Sequence, residues 1–163
     1  MNIVLIGMPG SGKSTIGVLL AKAMLMDFVD TDLVIQKNTG KSLSELITEY
    51  GIEGFSKIED KTLSEIKCIN TVIATGGSAV YGAAAMKNLK SNAKTVYLKL
   101  DPMEIESRIK NIKTRGIAMK EGTTIADLYD ERTPLYEKYA DIIFDCNQKE
   151  IEQCVSQLHK IFE

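Results

Sequence analysis

Residues 7–15, Gly-Met-Pro-Gly-Ser-Gly-Lys-Ser-Thr, constrain this chain more than any other stretch. They fit the pattern G-x-x-x-x-G-K-[ST], with Gly7 opening it, Gly12 and Lys13 closing it, and Ser14 at the hydroxyl position. The run before it, Ile3-Val4-Leu5-Ile6, is short, apolar and β-branched, and reads as a buried parallel strand. After Lys13, the apolar residues Ile16, Val18, Leu19, Leu20, Ala23 and Met24 predict a buried helix. Strand, glycine loop and helix in that order form a phosphate cradle. Backbone N–H groups turn inward and the helix N-terminus adds the positive end of its dipole. Gly10, Ser11, Gly12, Lys13, Ser14 and Thr15 are therefore the expected nucleotide-binding residues, with Lys13 reaching the β- and γ-phosphates and Ser14 ligating Mg²⁺.

The next segment, Asp27-Phe28-Val29-Asp30-Thr31-Asp32, reads as a second short strand with carboxylates at its C-terminal end. In open α/β sheets ligands gather beyond the carboxyl ends of strands, so Asp30 and Asp32 are expected to face the phosphate site. Thr31 or Asp32 would also cap a helix over residues 33–38. Ser42-Leu43-Ser44-Glu45 matches a capping box that opens a helix ended by Gly51, and a further helix is expected from about residue 55 to 66. These helices, about 33–62, form the expected acceptor-binding subregion. A third strand, 71–75, ends in Gly76-Gly77-Ser78, where bare backbone can approach a ligand closely.

Helix 83–89, strand 95–100 and a helix opened by Asp101-Pro102 follow. Residues 110–124 are polar and aperiodic, hold Arg115, and read as a mobile lid over the phosphates. The helix expected over 125–139 contains Pro134, which predicts a kink or break. A last strand, 142–145, and an amphipathic helix, 150–162, complete the chain. Five strands alternating with helices argue for one α/β domain over residues 1–163, a parallel sheet covered by helices on both faces.

A net charge of −2 gives no electrostatic footprint for nucleic acid or an anionic membrane, and no apolar run approaches the length of a membrane span. Cys68, Cys146 and Cys154 are odd in number and lack C-x-x-C spacing, which points to reduced thiols in a cytoplasmic protein rather than a disulfide frame or a zinc site. No heptad seam argues for a dimer, so a monomer is expected.

With these pieces in place, nearly the whole chain resembles the shikimate kinases, small P-loop enzymes of the nucleoside-monophosphate-kinase-like group. The resemblance rests on residues 7–15, on Asp30-Thr31-Asp32, on the turn Thr39-Gly40-Lys41-Ser42, on Gly76-Gly77, on Arg108 and Arg115, and on Glu131-Arg132-Thr133-Pro134-Leu135-Tyr136. It implies a three-layer fold with strand order 2-3-1-4-5, and transfer of the γ-phosphoryl group of ATP to an alcohol in aromatic amino acid biosynthesis. It also implies site roles. Asp30 would hold the Mg²⁺ shell, Asp32 the acceptor hydroxyl, Arg108 the adenine, Arg115 the phosphates and Arg132 the acceptor carboxylate. Gly76 and Gly77 would line the acceptor pocket. Three departures bear on specificity. Ser56 stands where the family carries a second carboxylate-clamping arginine, Ser78 replaces a third strand-end glycine, and Arg115 is followed by Gly116-Ile117 rather than proline and leucine. The runner-up expectations are a kinase of another acceptor (a sugar acid, a hydroxy acid or a nucleoside) and a nucleotide-binding regulatory protein without turnover.

Overall fold

In the computed structural model, which describes residues 1–109 and 116–163, five parallel strands form one sheet in the order β2-β3-β1-β4-β5, with helices on both faces. The strands are β1 (Asn2–Ile6), β2 (Asp27–Asp30), β3 (Thr71–Ala74), β4 (Ala93–Lys99) and β5 (Ile142–Asp145). The expected order 2-3-1-4-5 is the observed one. β1 lies at the centre because its whole run is apolar apart from Asn2, and all five of its residues are buried. Its register pairs Val4 with Ile73 on one side and with Thr95 on the other. That centring carries function: β1 hands the chain directly to the glycine loop, with the ends of β2 and β3 alongside.

Helix α1 (Lys13–Met24) buries a stripe of Lys13, Ile16, Gly17, Leu20 and Ala21, whereas Val18, Leu19 and Ala23 face outward. The expectation of a helix buried through Val18 and Leu19 is corrected by this stripe. Positions three and four apart share a face, and only one face of α1 meets the sheet. Helix α2 (Thr31–Thr39) begins earlier than expected, and its cap is Asp30, not Thr31 or Asp32. The Asp30 carboxylate accepts the Asp32 N–H at 3.0 Å, which spares that terminal donor from going unpaired.

Helix α3 (Leu43–Ser64) opens on the expected capping box, with Ser42 and Glu45 bonding each other's backbone N–H. Gly51, at φ 72°, bends the chain without releasing it into a loop, and the second helical stretch follows at once. A 3₁₀ turn (Ala79–Tyr81), α4 (Ala83–Lys90) and α5 (Pro102–Arg108) come next. Helix α6 (Ile125–Tyr139) then runs continuously through Pro134, so the expected break does not occur there. Pro134 removes one N–H, but the residues on either side of it hold the helix. Leu128, Arg132 and Tyr136 are buried along one face, and the Thr133 hydroxyl bonds the Tyr129 carbonyl at 2.6 Å. Helix α7 (Ile151–Phe162) closes the fold against α1.

Candidate active site

The C-terminal ends of β1, β2 and β3 open into a cleft of about 530 Å³, lined at one end by the glycine loop and at the other by α3, the Gly76-Gly77 strand end and Arg132. Within the loop, Gly12 is the left-handed N-cap of α1 at φ 93°, a conformation glycine adopts without a Cβ clash. Lys13 is buried and folds back, its Nζ donating to the carbonyls of Gly7 (2.8 Å) and Met8 (2.7 Å). Ser11 lies beneath it, fully buried, while Ser14 and Thr15 are exposed at the head of α1.

Ser14 and Asp30 meet directly, the serine hydroxyl donating to Oδ2 at 2.6 Å. The other oxygen of Asp30 is the α2 cap, so one carboxylate is aimed by the helix it caps and held against the phosphate loop. Two hard oxygen donors side by side suit Mg²⁺, which takes one or two protein ligands and completes its shell with water and phosphate oxygens. Among the described residues no group of three His, Cys, Asp or Glu forms a protein cage for a metal.

Asp32, the second residue of α2, also lines the cleft. Burial, and then the neighbouring Asp30 charge, push its carboxyl up from 3.8 to about 6, against the pull of Lys13. Arg132 is buried, and its Nη2 donates to the Ala118 carbonyl at 2.8 Å while its Cζ lies 5.3 Å from the Tyr81 ring centre. Tyr136, one turn on, donates to the Gly77 carbonyl at 2.6 Å, so α6 fixes both the arginine and the strand end it faces. The missing side chains of Gly76 and Gly77 are what keep the cleft open. A Cβ at Gly76 would stand 2.8 Å from Asp32 Oδ1, and one at Gly77 2.9 Å from Arg132 Nη1.

Arg108, at the end of α5, reaches the nucleotide end of the cleft, exposed and 3.8 Å from Glu104. Arg115 and the first part of the expected lid lie outside the described residues. The part that is described touches the acceptor end: Gly116 sits against Leu43 and Ser44, and Ala118 against Arg132. Lys13, Ser14, Thr15, Asp32, Gly76, Gly77, Arg108 and Arg132 thus share one cleft, and Asp30 stands behind it on Ser14.

Sequence reasoning passed over Glu59 and Ile151 and saw Ser78 only as a departure at the strand end; all three line the same cleft. Glu59 is almost fully buried, accepts the Ser78 hydroxyl at 2.6 Å through Oε1, and leaves Oε2 without a partner. Burial raises its carboxyl from 4.5 to about 7, the Ser78 hydrogen bond opposing that rise and Asp32 adding to it. Ser56 is half-buried beside it, and Lys57 is exposed. Ile151, the first residue of α7, packs against the glycine loop, with Cδ1 3.4 Å from where a Gly12 Cβ would stand.

A strand-loop-helix phosphate cradle, an acidic pair at the next strand end and a buried arginine across the cleft define the class: a P-loop phosphotransferase built on the nucleoside-monophosphate-kinase-like sheet. The family model described as shikimate kinase matches residues 9–163. A shikimate kinase of Clostridium botulinum (strain Eklund 17B / Type B) is 38% identical over 161 residues, spanning 98% of this chain and 96% of that protein. One from Thermodesulfovibrio yellowstonii is 37% identical, over 99% and 95%. The solved structure of a shikimate kinase from Acinetobacter baumannii in complex with shikimate superposes with a TM-score of 0.88 at 29% identity, covering 99% of this chain and 92% of that one. The chain belongs to the shikimate kinase family, and its activity is the ATP-dependent phosphorylation of a hydroxyl group of shikimate. That function settles the choice of acceptor against the sugar-acid, hydroxy-acid and nucleoside alternatives, and against a regulatory protein without turnover.

Proposed function

We propose that the phosphoryl group passes along the axis of the cleft from the glycine loop to Asp32, with residue roles as follows. Lys13 exchanges the Gly7 and Met8 carbonyls for the β- and γ-phosphates, carrying its charge to where negative charge gathers in the transition state. Ser14 and Asp30 would hold Mg²⁺, which when bound would neutralise phosphate charge. Arg108 packs on adenine, and Arg115 contacts phosphate from the lid.

Arg132 binds the acceptor carboxylate. Its guanidinium is already oriented by the Ala118 carbonyl and the Tyr81 ring, so little order remains to be imposed on binding. Asp32 receives the hydroxyl to be phosphorylated at the bare backbone of Gly76, orients it in line, and accepts its proton. A carboxyl raised to about 6 is still ionised at neutral pH and is a better base than an ordinary aspartate. The enzyme works as a cytoplasmic monomer on two small substrates, without nucleic acid or membrane. The mild net charge and three free thiols support that setting, and no described helix is long and apolar enough to cross a membrane.

The observation that carries this reading is the convergence of Lys13, Asp32, Gly76 and Arg132 on one cleft from four separate segments. In a coupled ADP-release assay with shikimate, Asp32→Asn is expected to lower kcat by about 10²-fold or more, the range of a positioned general base. The fold should be preserved, as read by circular dichroism. Turnover within a fewfold of the wild type would remove Asp32 from the acceptor role.

A further inference from the structure

The buried pair Ser78–Glu59 is not used by the roles assigned above, yet it forms one wall of the acceptor end of the cleft. Glu59 is 2% exposed, and one of its oxygens has no hydrogen-bond partner. Taking a carboxyl group out of water with an acceptor left unpaired is unfavourable, and the deficit is relieved by anything that brings a donor into the cleft. The position of that oxygen is informative. Glu59 Oε2 lies 3.0 Å, and Asp32 Oδ1 2.8 Å, from the point where a Gly76 Cβ would stand, so the two are no farther apart than the sum of those distances, 5.8 Å. Two carboxyl oxygens converging on one stretch of bare backbone match a substrate with hydroxyls on adjacent carbons.

The partner that fixes Glu59 is Ser78. Ser56 and Glu59 are three apart on α3 and share a face, but the side chain at 56 is too short to bring a charge to Glu59, and Lys57 is turned out to solvent. The hydrogen bond comes instead from another element, from Ser78 beyond the end of β3, where the family resemblance implies a strand-end glycine. Ser78 heads the 3₁₀ turn yet its side chain makes no capping bond there. Its hydroxyl is spent on Glu59 Oε1 at 2.6 Å, with the serine itself 7% exposed.

We propose that Ser78 is a specificity-determining positioning residue, whose hydroxyl locks the Glu59 carboxyl in place so that Oε2 accepts a second hydroxyl of the acceptor beside the one Asp32 holds. This rests on the acceptor end of the cleft being where the roles above put it. Ser78 does not touch the reacting atoms. It acts through Glu59, and the substrate feels it as affinity and as discrimination between a diol and a mono-ol.

The test is steady-state kinetics of Ser78→Ala, Ser78→Thr and Glu59→Gln with shikimate, with a shikimate analogue lacking one hydroxyl, and with ATP varied separately. Ser78→Ala is expected to raise KM for shikimate about five- to tenfold, the worth of one buried hydrogen bond, while kcat and the KM for ATP stay within about twofold. The preference for shikimate over the deoxy analogue should shrink by a similar factor. Ser78→Thr, which keeps the hydroxyl, should restore most of both. An unchanged shikimate KM in the alanine variant overturns the proposal, and so does a threonine variant as impaired as alanine, since that would assign the effect to shape. If instead Asp32→Asn turns over normally while Ser78→Ala still loses diol preference, the Asp32 role fails and the Ser78 role stands.

Discussion

Glu59 gives a prediction in which stability and function pull in opposite directions. Its carboxyl is raised from 4.5 to about 7, chiefly because burial disfavours the charged form. A folded-state pKa above the unfolded one means that the folded protein binds the proton more readily. Stability from this group is therefore full below pH 4.5 and is lost as pH rises through 7. The loss is 1.36 kcal/mol for each pH unit separating the two pKa values, so it reaches about 3 kcal/mol at pH 8, about 2 kcal/mol at pH 6, and only about 0.4 kcal/mol at pH 4.5.

Glu59→Gln keeps the side chain's shape and leaves an oxygen for the Ser78 hydroxyl, but it carries no charge at any pH. Urea unfolding followed by circular dichroism at a series of pH values should show the variant more stable than the wild type by up to about 3 kcal/mol at pH 8. For a chain of this length that is roughly 6–12 °C in Tm. The gap should nearly close by pH 4.5. A gap of constant size across that range would refute the reasoning, because a packing effect does not titrate. So would a variant less stable than the wild type at pH 8. The same variant should bind shikimate more weakly, which is the usual trade where a site holds a destabilised group.

Two further expectations follow from the cleft. Ser56→Arg, which restores a guanidinium on the Glu59 side of α3, should lower the shikimate KM about ten- to a hundredfold, the worth of a charge-assisted contact of roughly 1.5–3 kcal/mol; an unchanged KM would show that the arginine cannot reach the acceptor. Gly77→Ala puts a methyl 2.9 Å from Arg132 Nη1 and 2.7 Å from Pro9 Cδ, so KM for shikimate should rise about tenfold or more with ATP binding, read by calorimetry, little altered.

What the sequence made legible, and what it hid, divides along a physical line. The nucleotide end is written in contiguous residues: a strand, a left-handed glycine cap and a lysine must be adjacent in the chain to make a phosphate cradle, so the string from Gly7 to Thr15 carries its own geometry. The strand order became legible only through the family resemblance, and the sheet has that order. The acceptor end is assembled from α2, α3, the β3 end and α6, and there single-residue signals mislead. Asp30, Thr31 and Asp32 are all capping residue types, and which of them caps α2 depends on where β2 ends. Pro134 signalled a break, yet the helix runs on through it, with Arg132 and Tyr136 buried on the same face. Glu59 looked like one more polar residue of an amphipathic helix, because burial is a property of what lies opposite, and what lies opposite is Ser78, nineteen residues away. The signal that would have found the pair was the coincidence of two departures, Ser56 and Ser78, at one site. A buried carboxyl with a serine rather than a cation three residues before it needs a donor from another element, and here the Ser78 hydroxyl supplies it.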